Sequence, residues 1–171
     1  YANESALCLV KRLAELKAKE GARLSSQTPN PIIIAGDQVI TLKERILGKP
    51  KSHEEAMAQL QVCSGNTVTS YASLCVYHPA SGYKSIDVAN CTAKYRSLKP
   101  DLIRTYLALD TPYHCAGSLS FETLGYFLLE ELQSQDPYSI YGMPLMRLIS
   151  HLNALGISLL EMLQASTSTQ P

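Results

Sequence analysis

Apolar and polar positions change their period several times along the chain, and each change marks an element. Leu7, Val10, Leu13, Ala14 and Leu16 recur at three- and four-residue spacing, which predicts a helix with one buried stripe. Asn3 or Ser5 would cap it and Gly21 would stop it. "SSQTPN" (25–30) reads as a loop, "PIIIAGDQV" (31–39) as a mostly apolar strand, and "ILGKP" (46–50) as a turn ended by Pro50. Ser52 followed by Glu55 is a capping box, so "SHEEAMAQLQVCSG" is a helix with Gly65 at its exit. The β-branched and aromatic residues of 66–98 predict two or three strands around a hairpin turn near "PASG". A short helix follows Pro100 in "KPDLIRTYLAL", while "CAGSLSFETLGYFLLEEL" (115–132) leaves strand and helix both open. In 136–156 a strong helix presents Leu145, Leu148, Ile149, Leu152 and Leu155 on one face. The end of the chain, "QASTSTQP", is polar and reads as disordered.

Helices alternating with strands rich in Ile and Val predict an α/β fold: a mixed, twisted sheet flanked by helices, in two lobes with a cleft. With 171 residues and 46% hydrophobic content, the expectation is one domain over 1–160 and a polar tail over 161–171. Five scattered cysteines suit neither a disulfide framework nor a CxxC metal pattern. They read as reduced core thiols in a cytoplasmic protein. Neither a membrane-spanning apolar run nor the apolar region of a signal peptide stands out. The first residue is not Met, so the chain is expected to begin inside a longer protein.

Net charge is zero but unevenly spread: residues 1–104 carry 14 Lys/Arg against 9 Asp/Glu, and residues 105–171 carry 1 against 6. The first part can therefore face phosphates, and the second a neutral or cationic group. A sequence pI near 7.1 and the absence of a basic run with interleaved aromatics argue against a duplex nucleic-acid partner. The strand at 31–40 poses the chemical question, because its apolar run reaches Ala35-Gly36 and then delivers Asp37 and Gln38. Such a break is either a bulge or strand end, or a rigid strand carrying an acid into a cleft.

The ordered blocks "AGDQVI", "GKP", "LQVCSGNTVTSY", "HCAGSLSFETLGYFLLEEL" and "DPYSIYGMPLMRLISHL" together resemble the Maf nucleotide pyrophosphatases over roughly residues 4–158, with the Maf/ITPase-like fold. "DQ" after the strand and a Glu five residues after Gly117 are similar to the branch that hydrolyses 7-methylguanosine triphosphate rather than dTTP or UTP. The resemblance implies a nucleoside triphosphate substrate, a divalent cation (Mg, Mn or Co) as cofactor, and a homodimer. It makes Asp37 the proton acceptor, Lys17 and Lys49 the phosphate-binding residues, and Gln38 with Glu122 the readers of the base. Cleavage between the α- and β-phosphates needs an activated water and cations to take up charge on the phosphoryl oxygens, which a carboxylate and two lysines can supply. A carboxylate also suits a cationic methylated purine.

Two departures accompany the likeness. The family's opening strand and Ser-Pro-Arg-Arg-like phosphate loop do not precede Tyr1, so this is either a fragment or a member that has lost a major phosphate clamp, and a non-catalytic binding or dimerisation module stays open as a further reading. Ser120, Phe121 and Thr123 stand where Lys, Ser and Gly are usual around Glu122, which bears on base choice and keeps other non-standard or pyrimidine nucleotides open. His114 and Cys115 are adjacent and, on a strand, point to opposite faces, so a Cys-His catalyst is not expected. The ten tyrosines are scattered and read as packing residues.

Overall fold

The computed structural model describes residues 4–167. Helix α1 (Ala6–Leu24) starts where the Ser5 hydroxyl accepts the Cys8 N–H at 3.2 Å, a side-chain oxygen satisfying one of the orphan donors of the first turn. Asn3, the alternative cap, lies outside the described residues. Gly21 does not stop the helix. Its missing side chain instead admits Ile33, whose Cγ2 lies 2.9 Å from where a Cβ would stand.

Strand β1 (Ile33–Leu42) is followed by β2 (Arg45–Leu47), so part of the expected "ILGKP" turn is a short edge strand paired with Ile40–Leu42. Helix α2 (His53–Cys63) has the expected Ser52 cap, accepting the Glu55 N–H at 3.2 Å. Strands β3 (Thr67–His78) and β4 (Tyr83–Tyr95) form the long hairpin, and α3 (Pro100–Asp110) follows. The ambiguous stretch is neither one helix nor one strand. It consists of 3₁₀ turns at Ala116–Ser118 and Gly125–Leu128 that lead into β5 (Leu129–Ser134).

The sheet runs β2-β1-β3-β4-β5 with every described pairing antiparallel, so the fold is mixed α/β with the mixing in its layers rather than in strand direction. Alternate residues of β1 and β3 serve opposite faces. Ile33 and Cys75 meet Ala14 and Ala18 of α1 on one side. On the other, Leu74 and Val76 meet Leu148 and Leu152 of α4 (Leu145–Ala154). Ile149 is 38% exposed, so the packed face of α4 is narrower than its sequence suggests.

A larger apolar cluster gathers the far end of β1 and β3, including Ile40 and Val68, with Leu60 of α2 and Ile103 and Leu107 of α3. Each of these fully buried leucines and isoleucines contributes about 1.5–3 kcal/mol of transfer free energy. Along β1, Ile33 belongs to one cluster and Ile40 to another, and Gly36 to Val39 cross between them. The interruption noticed in the sequence is the boundary between the two lobes.

Helix α5 (Leu159–Thr167) extends into the stretch read as a polar tail. Composition alone missed Ser158, whose hydroxyl accepts the Glu161 N–H at 3.3 Å and starts the turn. Residues 168–171 of that tail lie outside the described residues.

A Cβ at Gly36 would lie 2.6 Å from the backbone oxygen of Ser73, and a backbone atom inside a paired strand has little room to retreat. Gly36→Ala is expected to lower stability by about 1–3 kcal/mol, the usual range for overpacking. Chemical denaturation measures this, and an unchanged midpoint would refute the close approach.

Candidate active site

Asp37 sits where β1 crosses between the lobes, with its backbone fixed to β3. The buried Ser73 hydroxyl accepts the Asp37 N–H at 3.1 Å and donates to the Val10 carbonyl at 2.9 Å, with the Asp37 carbonyl also at 3.1 Å. One serine thereby ties β1, β3 and α1 together behind the acid. In front of it, Lys17 of α1 donates to Asp37 Oδ1 at 2.5 Å and to the Gly36 carbonyl at 3.1 Å. The Asp37 side chain is 18% exposed and that of Lys17 56%. The carboxylate is thus recessed, while the ammonium stands at the mouth.

Gln38 points to the opposite face of β1. Its amide nitrogen donates to Ser70 Oγ at 2.8 Å and to the Ile140 carbonyl at 3.0 Å, with the Ser139 carbonyl at 3.4 Å. Both amide hydrogens therefore face protein acceptors, and Gln38 holds the 3₁₀ turn Pro137–Tyr141 against β1. The buried Asp136 fixes that turn from its other side, its carboxylate accepting the Met146 and Arg147 N–H groups at 3.0 and 3.3 Å. Those amides are orphan donors of the first turn of α4.

Lys49 is exposed and lies between Gly48 and the buried Pro50. The Gly48 carbonyl accepts from the Gly117 N–H and from Gln59 Nε2, both at 3.1 Å, and Gln59 Oε1 accepts from the buried Ser118 hydroxyl at 2.7 Å. Gln59 therefore joins the "GKP" and "AGS" segments and sets where Lys49 stands. Gly117 takes φ of 67°, a left-handed conformation that a side chain disfavours.

Glu122 is exposed on a loop that is tied to itself and to α3. Ser120 N–H donates to the Tyr106 hydroxyl at 2.9 Å, Thr123 Oγ1 to Ser120 Oγ at 2.7 Å, and Gly125 N–H to the Ser120 carbonyl at 2.9 Å. Phe121 is buried. The residues that depart from the family pattern are therefore scaffolding for the Glu122 loop.

Asp37, Gln38, Lys49 and Glu122 line one cleft of about 340 Å³. Lys17 reaches it through its ion pair with Asp37. His114 and Cys115 also line the wall, but burial raises the Cys115 thiol above its ordinary range, which disfavours a thiolate nucleophile. Among the described residues, no group of three or more His, Cys, Asp and Glu side chains is placed to hold a metal ion. The donor set fits a cation shared between one carboxylate, Asp37, and phosphate oxygens of a ligand, a common mode for Mg²⁺.

Ser73, Gln59 and Asp136 escaped the sequence reading because a buried hydroxyl, amide or acid has no local signature. The same is true of a hydrogen-bonded chain on α4, where His151 pairs with Tyr83 OH and with Asp87 Oδ2, each at 2.6 Å. The tyrosines divide. Tyr95 and Tyr106 are core residues, whereas Tyr126, Tyr138 and Tyr141 are exposed and line an adjoining cavity, Tyr141 lining the cleft as well. Among the described residues, no helix is long and apolar enough to cross a membrane.

A family model described as Maf-like protein matches residues 2–155. A protein of Nitrosococcus oceani named 7-methyl-GTP pyrophosphatase is 41% identical over 152 residues, covering 89% of this chain and 75% of that protein. Proteins of the same name from Colwellia psychrerythraea and Pseudomonas fluorescens are 40% and 42% identical, covering 92% and 90% of this chain and 78% and 79% of their own.

Removing the Ser73 hydroxyl takes a buried partner from the Asp37 N–H and the tie from β3 to the Val10 carbonyl of α1, so Ser73→Ala is expected to cost about 1–3 kcal/mol in denaturant unfolding. Lys17→Met removes an exposed ion pair and should change stability by less than about 1 kcal/mol. A reversed order of the two effects would show that the site is held from its mouth rather than from behind.

Proposed function

Since the chain belongs to the Maf-like protein family, we propose that it is a nucleoside triphosphate pyrophosphatase that converts 7-methylguanosine triphosphate to the monophosphate and pyrophosphate. The observation that carries this reading is the convergence on one cleft of a recessed acid, Asp37, an exposed lysine, Lys49, and a second acid, Glu122, contributed by separate segments.

Asp37 accepts a proton from the attacking water as that oxygen bonds to phosphorus, and the bond to the bridging oxygen breaks to release pyrophosphate. Lys17 orients the carboxylate and, being more than half exposed, presents further N–H donors to the phosphates. Lys49, held at its turn through Gln59 and Gly117, supplies a point charge on a flexible stem. Asp37 would hold a divalent cation, which would supply additional charge neutralisation to the phosphates when bound. No dedicated protein cage is required for that arrangement.

Glu122 attracts the delocalised positive charge of the N7-methylated ring, which an unmethylated purine or a pyrimidine lacks. Gln38 acts on base choice through the turn it holds, since its amide hydrogens are directed at Ser70, Ile140 and Ser139. The shared name of the relatives supports the methylated purine over dTTP or UTP as substrate.

Two substitutions test this reading. Asp37→Asn keeps size but cannot take the proton, so pyrophosphate release from 7-methylguanosine triphosphate should fall to background while nucleotide binding persists. Glu122→Gln should lower kcat/KM for the methylated nucleotide more than for GTP, by about 1–3 kcal/mol for a charge-assisted contact. Wild-type turnover of dTTP or UTP above that of the methylated nucleotide would replace the substrate. Turnover of no nucleotide in a full panel would leave a binding module.

A further inference from the structure

Next to the cleft lies a second cavity of about 600 Å³, lined by Tyr126, Tyr138, Tyr141, Ile140, Leu132 and Pro137 together with Ser134. Ile140 and Tyr141 belong to both walls, so the two spaces adjoin across a single aromatic residue. The three tyrosines are 44%, 56% and 48% exposed in the order just given, although each carries a large apolar face that packing could have covered.

They are also ordered with respect to one another. The Tyr126 and Tyr141 hydroxyls lie 3.3 Å apart. The Tyr138 and Tyr141 ring centroids are 6.1 Å apart, and Tyr126 meets the buried Phe121 edge-on at 6.0 Å. Their turn is clamped by Gln38, by a 3.1 Å contact between Ser134 and Ser139 hydroxyls, and by Gly142 at φ of 88°. Rings held in place but left open are suited to receive a flat partner without a large ordering cost.

We infer that this aromatic groove is the stacking subsite for the purine base, with Tyr141 as the platform and Tyr126 and Tyr138 as its side walls, so that Tyr141 is a specificity-determining residue. The inference rests on the proposed nucleotide reaction. Asp37, Lys49, Glu122 and Tyr141 all line the one cleft, and Tyr141 also lines the aromatic groove. A base whose phosphates lie on Lys49 extends toward Tyr141 and lies against its face with one edge turned to Glu122. An N7-methylated ring is cationic, and a cation over a tyrosine face is attracted by the ring quadrupole. Glu122 and Tyr141 then select the same charge by different means: the carboxylate acts on the edge of the base and the phenol on its face. The hydrogen bond with Tyr141, followed by burial, holds the Tyr126 hydroxyl above its ordinary range.

The test follows 7-methylguanosine 5′-monophosphate and guanosine 5′-monophosphate binding to the chain by proton NMR, reading the N7-methyl resonance and the two dissociation constants. Stacking moves the N7-methyl protons upfield through the ring current of Tyr141. Wild type and Tyr141→Phe, which keeps the ring, should show that shift. Tyr141→Leu should lose it and bind the methylated nucleotide about 3- to 30-fold more weakly, with a smaller change for the unmethylated one. Tyr138→Leu, on the same turn but outside the shared wall, should preserve the shift. Tight binding with an unshifted methyl resonance in wild type would overturn the stacking subsite and leave the proposed substrate standing. Binding of neither nucleotide would overturn both. Loss of tyrosine exposure on raising protein concentration without nucleotide would assign the groove to contact between copies and overturn the subsite.

Discussion

The close approach of β1 to its neighbour β3 at Gly36 and Asp37 is the constraint on which the rest of the molecule depends. Gly36 has no room for a Cβ beside the Ser73 carbonyl, and the Ser73 hydroxyl occupies the N–H of Asp37 and the carbonyl of Val10. A buried serine with no partner would be costly, but here it has three. The backbone is therefore fixed at the one point along β1 where neither apolar cluster encloses it. A carboxylate carried there can be recessed without being buried in an apolar core.

From that point the two faces of β1 divide the work. Asp37 turns toward α1 and meets Lys17, while Gln38 turns the other way and fastens the Pro137–Tyr141 turn. The acid and the turn-holding amide are thus placed on opposite sides of one strand, and both line the one cleft. The same economy appears at Gln59, a single buried amide that aligns "GKP" with "AGS". Lys49 and Glu122 come from segments far apart in sequence, and this shared anchoring makes their separation reproducible.

The parts that face solvent are held differently from the parts that hold them. Lys17, Lys49, Glu122 and the three tyrosines are all partly or largely exposed, so their own contacts contribute little to folding. Their supports, Ser73, Gln59, Ser118, Asp136 and Ser139, are almost wholly buried. Substitutions among the first group should alter ligand handling, and those among the second should alter stability first.

Much of this was legible along the chain. Helix α1, the Ser52 cap, the β3–β4 hairpin and the interrupted strand followed from periodicity and capping, which are local properties. The order of the motif blocks identified the family and singled out Asp37, Lys17, Lys49, Gln38 and Glu122. Other features were not local. Gly21 looked like a helix stop until Ile33 arrived beside it, and residues 115–132 had no settled period because their conformation is set by bonds to Tyr106 and Gly48. The direction of the Gln38 amide depended on a turn about a hundred residues away. Tyr126, Tyr138 and Tyr141, scattered in sequence, became one surface only when β5 paired with β4 and the turn before α4 was held against β1 by Gln38. Sequence by itself determined which elements form and which residue types are available for chemistry, because short-range sterics and hydrophobic period act within a few residues. Tertiary structure decided which side chains meet, because the close approach of distant backbones and the pairing of buried polar groups exist only once the sheet is assembled.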